Sequence, residues 1–389
     1  MNNLRIAWLL TAAPSYWHPI LTEFVSIFPQ TKLFTAKWQG FAKGYEQKFA
    51  VEIIGDRKLL ELKQNSGGYS NNVMYLSPQI IPYLWKFKPD IIFADGFCLW
   101  TIFVAILKLV FSWKIILIYD GSSPSVDYRN SKLRIFTRRR IGKFCDRFIT
   151  NHQPGKDYLH QVLGIDAHTI FVHPYLVPDL QALLQDFDPH LSQNLPQTIQ
   201  LQKPIFFSIG QIIPRKGIRE LIEACYILQQ QGYEKYSLLI AGEGNQRQEL
   251  DELAKKYNLA TNISWLGQVN YSHLGSYFHL IDVFVFPSHE DVWGMVLLEA
   301  MSLGKAVIAS QNAGSAELIR EGDNGYTFNP SFPEELANSM KECMDNPPQI
   351  GDMGDRSREI MSQHTPKTSA IFLTDVVKNV IENSVLQDK

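Results

Sequence analysis

The sequence predicts an α/β protein made of two doubly wound, parallel-sheet domains, and three observations carry that expectation. At 389 residues the chain is long for one core and suits two of ordinary size. Short apolar runs that read as buried strands alternate with longer helical patterns, which argues for parallel sheets with helices on both faces. From Val177 to Lys203 the chain turns polar and rich in Gln, Pro and Asp, as an interdomain connection would. The expected boundaries are therefore 1–190 for a first domain, 203–365 for a second, and 366–389 for a helical tail.

The composition, 45% hydrophobic and 20% charged, is that of a globular protein. A net charge of −2 conceals an asymmetry, since residues 1–200 hold 21 Lys and Arg against 15 Asp and Glu, and residues 201–389 hold 16 against 24. A basic first half suits an anionic membrane or an acidic ligand. Cys98, Cys145, Cys225 and Cys343 show no metal-like or framework spacing and fit a reducing cytosol.

Taken in order, Ile6–Leu10 reads as a first strand, because its apolar run is too short for a signal peptide and runs on into Pro14. The loop after it, Thr11 to His18, falls where open α/β sheets place ligands, which makes Trp17 and His18 candidates for lining a pocket. Strands are expected at Pro89–Ala94 and at Lys114–Tyr119. Between them Phe97–Trp113 is apolar nearly all round. Lys108 interrupts it short of the roughly 20 apolar residues of a membrane span, so it reads as a helix packed on the sheet or one dipping into a bilayer interface.

Lys132–Arg147 holds seven basic residues and one acid, and it reads as a basic amphipathic helix. Leu133, Phe136, Ile141, Phe144 and Phe148 would share a face, leaving Arg134, Arg138, Arg139, Arg140 and Lys143 as candidates for contact with an anionic membrane surface. No nucleic-acid module accompanies the run, so nucleic acid is not an expected partner. Asp186-Phe187-Asp188 has no strand before it and reads as linker, and no metal is expected.

The second half restarts with a strand at Pro204–Ile209, a loop Gly210-Gln211-Ile212-Ile213-Pro214-Arg215-Lys216-Gly217, and a helix from Ile218. A strand at Ser237–Ala241 leads into the tight turn Gly242-Glu243-Gly244-Asn245, whose glycines would let backbone approach a ligand. Val283–Phe286 is a further strand, followed by Pro287-Ser288-His289-Glu290-Asp291 and a helix starting near Gly294. The first amides of that helix, near Gly294, Met295 and Val296, favour an anion. Asp291 and Glu299 bracket this start, with Glu299 about two helical turns further on.

The stretch Val283–Met301, VFVFPSHEDVWGMVLLEAM, resembles the Glu-x7-Glu signature of retaining glycosyltransferases of the GT-B fold, family 4, of the bacterial polysaccharide and glycolipid type. Aligned on Trp293-Gly294 and Glu299-Ala300-Met301, the first acid of the signature falls on Asp291, where the family more often has Glu. The resemblance implies two Rossmann-like domains facing across a cleft, with Asp291 on the donor hexose, Glu299 on the ribose, and the amides after Gly294 on the diphosphate. The loop at 210–217 is similar to the family's second fingerprint, Gly-Arg-(x)4-Lys-Gly, with Lys216 in place, Gln211 where the arginine stands, and Arg215 beside the lysine. Asp120 occupies the position of a histidine-bearing loop that lies beside the reacting sugar in the family, although it also reads as an Asx turn closing a strand. Trp17 and His18 would then face the acceptor. The family's glycines in that loop are missing here.

The activity implied is transfer of a hexose from a nucleotide-diphosphate sugar, UDP- or GDP-linked, to a glycan or lipid-linked acceptor in cell-surface polysaccharide or glycolipid synthesis, in the cytoplasm or on the inner face of the membrane. The alternatives are an inactive nucleotide-sugar-binding module and a GT-B-like sugar-nucleotide epimerase. No cofactor beyond the nucleotide sugar is implied.

Overall fold

The computed structural model describes residues 3–55, 58–60, 73–191 and 201–387. Part of the expected polar connection, 192–200, lies outside the described residues. Among those described, two compact units form: one runs to Val177 and takes in the chain again from His364, and the other is Pro178–Gln363.

The first unit holds β1 (Ile6–Leu10), β2 (Thr31–Thr35), β3 (Ala50–Ile53), a hairpin of β4 (Lys58–Leu60) and β5 (Val73–Tyr75), then β6 (Ile91–Asp95), β7 (Lys114–Ile118), β8 (Arg147–Thr150) and β9 (Ile170–Val172). All but the hairpin build one parallel sheet in the order β3-β2-β1-β6-β7-β8-β9. β1 is buried along its whole length, as an unbroken apolar strand covered on both faces should be. Trp8 in its middle stacks on Phe93 of β6 at 4.1 Å and meets Trp17 and Phe24 edge-on. Those last two belong to the helix Trp17–Ile27, which packs on the C-terminal helix Pro366–Gln387. The tail thus completes the first unit.

Two expectations for this unit are corrected. Trp17 and His18 do not line a pocket, for both are buried. Trp17 lies against Trp8 and Tyr175, while His18 is boxed by Trp38, Phe41 and Phe49 and accepts a hydrogen bond from the Ala42 amide at 3.0 Å. Burial lowers the His18 pKa to about 4, so the ring is neutral. The sequence reading placed both in a loop, but the helix begins at Trp17 and turns them into the core.

The basic stretch is not one amphipathic helix over Lys132–Arg147. The helix ends at Gly142, Phe148 lies on β8, and Leu133 and Phe136 face solvent. Arg138 turns inward, donating to the Val126 and Asp127 carbonyls and to the Tyr158 hydroxyl, and Arg139 is bound to the Val162 carbonyl. Arg134 stacks on the Tyr128 ring. These arginines serve tertiary packing, which a periodicity argument cannot see. The helix expected over Phe97–Trp113 is realised as Leu99–Leu107, and among the described residues no helix is long and apolar enough to cross a membrane.

The second unit carries β10 (Ile205–Ile209), β11 (Ser237–Ala241), β12 (Ile263–Gly267), β13 (Val283–Phe286), β14 (Ala306–Ser310) and β15 (Gly325–Phe328). They form a parallel sheet in the order β12-β11-β10-β13-β14-β15. Strand order reverses between β10 and β13, and at such a switch the loops leaving the two carboxyl ends diverge and leave room for a ligand. Truncating Trp8 leaves its stacked and edge-on partners around a void. We expect Trp8→Ala to cost about 3–5 kcal/mol, measured as a lowered urea midpoint with near-UV and far-UV signals followed together.

Candidate functional site

The switch of the second unit is where the charged residues named from sequence meet. After β10, Pro214–Lys216 forms a short turn that ends at Gly217, in the left-handed region at φ 68°. A Cβ on Gly217 would lie 1.9 Å from the Pro287 carbonyl oxygen, so only glycine lets this loop lie on the one that follows β13. That close approach brings Lys216 Nζ to 2.5 Å from Asp291 Oδ2, with Arg215 Nη1 3.6 Å from the same oxygen. Arg215 also donates to the Glu290 carbonyl at 2.8 Å, and the His289 amide donates to the Arg215 carbonyl at 2.9 Å. Two cations therefore converge on one carboxylate.

A third loop closes the arrangement. The amide of Gly314 donates to the Asp291 carbonyl at 3.1 Å, Asn312 Nδ2 to the His289 carbonyl at 3.0 Å, and Ser315 Oγ to the Gly294 carbonyl at 3.1 Å. Gly294 caps the helix Met295–Ser302 in the left-handed conformation, and Met295 and Val296 make its first turn. Glu299 lies on this helix, buried, and accepts a hydrogen bond from the Tyr271 hydroxyl at 3.0 Å. Burial raises its pKa to about 7, and the Tyr271 bond opposes that rise.

Gly210, Gly242 and Gly244 serve each other. A Cβ on Gly242 would lie 1.8 Å from the Gly210 carbonyl oxygen, and one on Gly244 2.1 Å from that of Ile212. The two loops they occupy are laced by the Ile212 amide donating to the Glu243 carbonyl at 2.9 Å. Backbone packing accounts for the pair of glycines that the sequence reading gave to ligand approach. Gln211, standing where the resemblance puts an arginine, is exposed.

In the first unit Asp120 follows β7 and is held by Tyr175, whose hydroxyl donates to Oδ1 at 2.9 Å, while Asn151 donates to its backbone carbonyl at 2.7 Å. Burial, reinforced by the charge of Asp95, raises the Asp120 pKa to about 7. Asp95, at the end of β6, accepts from both the amide and the hydroxyl of Thr11 at 2.9 and 2.6 Å. The structure thus gathers Thr11, Asp95, Asp120 and Tyr175 at the carboxyl ends of β1, β6 and β7, leaving Trp17 and His18 in the core behind them.

Sequence reasoning missed Asp95, Glu220, Tyr271 and Asn312. Asp95 alone carried a local signal, as an acid closing an apolar strand. The other three act through contacts distant in sequence.

The fold is that of GT-B proteins, two Rossmann-like units. HepE of Anabaena, solved in complex with UDP, superposes with a TM-score of 0.72 at 17% identity over 97% of this chain and 100% of its own. Sucrose-phosphate synthase of Thermosynechococcus elongatus superposes with a TM-score of 0.70 at 17% identity, covering 98% and 100%. Residues 194–360 match the family described as glycosyl transferases group 1.

Relatives include alpha-D-kanosaminyltransferase of Streptomyces kanamyceticus, 28% identical over 145 residues, 37% of each chain. An uncharacterized glycosyltransferase of Methanocaldococcus jannaschii is 33% identical over 159 residues, 39% of this chain and 40% of its own. The chain therefore matches about two fifths of the length of these relatives.

One histidine near the site has a raised pKa. His289 Nε2 lies 2.7 Å from Glu220 Oε1, and that hydrogen bond raises the histidine's pKa above its ordinary 6.5. A raised folded value means the pair stabilises fully below pH 6.5 and loses that contribution as pH rises through the folded value. The stability difference between wild type and Glu220→Gln should be largest at about pH 5–6, with the histidine charged and carboxylates ionised, and shrink as pH rises through the histidine's folded value. Paired urea titrations across that range check this, and a pH-independent difference would contradict it.

Proposed function

We propose that the chain is a retaining hexosyltransferase that moves a sugar from a nucleotide-diphosphate sugar to a glycan or lipid-linked acceptor, in cell-surface polysaccharide or glycolipid synthesis. One observation carries the reading: Lys216 and Arg215 converge on Asp291 beside the start of the helix that bears Glu299. The diphosphate takes the two cations and the first amides of that helix at Met295 and Val296, the ribose takes Glu299, and the hexose takes Asp291. UDP is the favoured nucleotide, since HepE has been solved with UDP and with UDP-glucose. The named relatives, alpha-D-kanosaminyltransferase and glycogen synthase of Mycobacterium tuberculosis, support sugar transfer.

As the bond from the anomeric carbon to the phosphate oxygen breaks, negative charge grows on the departing nucleoside diphosphate. A lysine aimed there stabilises the transition state more than the ground state. The acceptor oxygen attacks from the face the phosphate leaves, and a leaving-group oxygen takes its proton, so retention needs no enzymic nucleophile. We assign the acceptor to the first unit, with Asp120 ordering its hydroxyl, and place the reaction on the cytoplasmic side of a membrane. Lys216 and Arg215 supply the charge that a metal supplies elsewhere, so transfer should survive EDTA.

Wild type should melt higher with UDP than with GDP, ADP or CMP, because a ligand that binds only the folded state stabilises it. Glu299→Ala should lose that shift. Lys216→Ala should lower turnover about 10²–10³-fold, read as UDP release from UDP-sugars in the presence of acceptor. A UDP shift without turnover would favour an inactive binding module. Conversion of the donor sugar without any acceptor would favour an epimerase.

A further inference from the structure

The second unit has a cavity at the amino ends of its strands. β10, β13 and β14 begin there, at Ile205, Val283 and Ala306, whereas the loops bearing Lys216 and Asp291 leave the carboxyl ends of β10 and β13, a strand's length or roughly 15 Å away. The cavity measures about 360 Å³, and its lining combines apolar Pro204, Ile281 and Ile350 with Lys203, Asp282 and Lys305. The first turn of the helix Pro347–Ser362 closes one side. Pro347 and Pro348 have no amide to offer, so that turn brings the positive end of a helix dipole and few donors.

Lys305 is the residue that packing alone leaves unexplained. Its half-buried ammonium donates to the Ile281 carbonyl at 2.9 Å, and among the described residues it makes no other hydrogen bond and no ion pair. An ammonium has three donors, so two are left over. Burial lowers the Lys305 pKa from the ordinary lysine value; the charge of Asp282 opposes that shift, and those of Arg358 and Lys203 deepen it.

The carboxylate of the cavity is already engaged. Asp282 Oδ1 lies 3.0 Å from Lys203 Nζ, and Oδ2 accepts from the Ile205 amide at 2.8 Å, tying the start of β13 to that of β10. Lys203 is 78% exposed and has freedom to turn. Arg358, paired with Asp355 on its own helix, lies against Gly304 of the cavity wall, where a Cβ would meet its guanidinium at 2.2 Å.

We propose that this cavity binds a phosphate group, carried by inorganic phosphate or by a small soluble phosphomonoester, with Lys305 as its fixed cation and Lys203 and Arg358 closing on it from the rim. Charge complementarity carries the assignment: a shielded lysine without a counter-ion and with two spare donors is answered by an anion rich in acceptors. Phosphate also has oxygens enough to reach the rim cations. The site goes beyond the donor reading and does not depend on it.

The test is calorimetric titration of the full chain at fixed ionic strength with sodium phosphate and with glycerol 3-phosphate, glycerol serving as the neutral control. At least one phosphate should bind and glycerol should not. Tighter binding of glycerol 3-phosphate would assign the ester, and equal or tighter binding of inorganic phosphate the free ion. Lys305→Met should weaken binding at least about tenfold, with circular dichroism confirming its fold. Lys203→Gln with Arg358→Gln, both at exposed positions, gives a second route and should also weaken binding about tenfold. Lys216→Ala should leave the affinity unchanged. The proposal is overturned if neither phosphate binds, or if either the Lys305 variant or the double variant binds as tightly as wild type. Loss of binding in Lys216→Ala would move the anion to the loops after β10 and β13 and equally overturn it.

Discussion

The second unit is arranged around the pairing of Lys216 with Asp291. The two residues sit on loops leaving β10 and β13, the strands on either side of the reversal in sheet order, and their side chains are largely shielded from water. A lysine so placed without a partner would be costly, and losing one member of a buried pair typically costs 3–5 kcal/mol. The aspartate holds the cation in place, and it gives the Arg215 guanidinium a second anchor beside the Glu290 carbonyl. Gly217 makes this possible from below, since any side chain there would drive the loops apart.

Much of this was legible in the sequence because it is local. Unbroken apolar runs marked β1, β10 and β13, and Lys216, Asp291 and Glu299 stand at fixed distances from strand ends and helix starts. What escaped was set by folding at long range. His18 reads as a polar residue in a loop, but one turn of helix carries it into an aromatic box. Tyr271 gives no sign in its own neighbourhood that it bonds a carboxylate 28 residues further along. The pairing of Glu220 with His289 joins a helix and a loop that meet only when the sheet forms.

The arginines of the basic stretch show the same limit from the other side. A run of like charges reads as a solvated or lipid-facing surface. Yet Arg138 satisfies two backbone carbonyls next to the buried Asp127, which itself accepts from Tyr119, Ser122 and Arg129. Guanidinium groups, with five donors in a rigid fork, are well suited to gather carbonyls left over at the end of a short helix. Composition records how many arginines there are and says nothing about which of them face inward.

The return of the chain at His364 has a consequence for synthesis. Among the described residues the second unit draws on one stretch of sequence, 178–363, whereas the first lacks the helix that packs on Trp17–Ile27 until Pro366–Gln387 has been made. On the ribosome the part that comes later can therefore close first, and the part made earliest waits with an unfinished face. A pause or a truncation before Pro366 would strand the first unit while leaving the other whole.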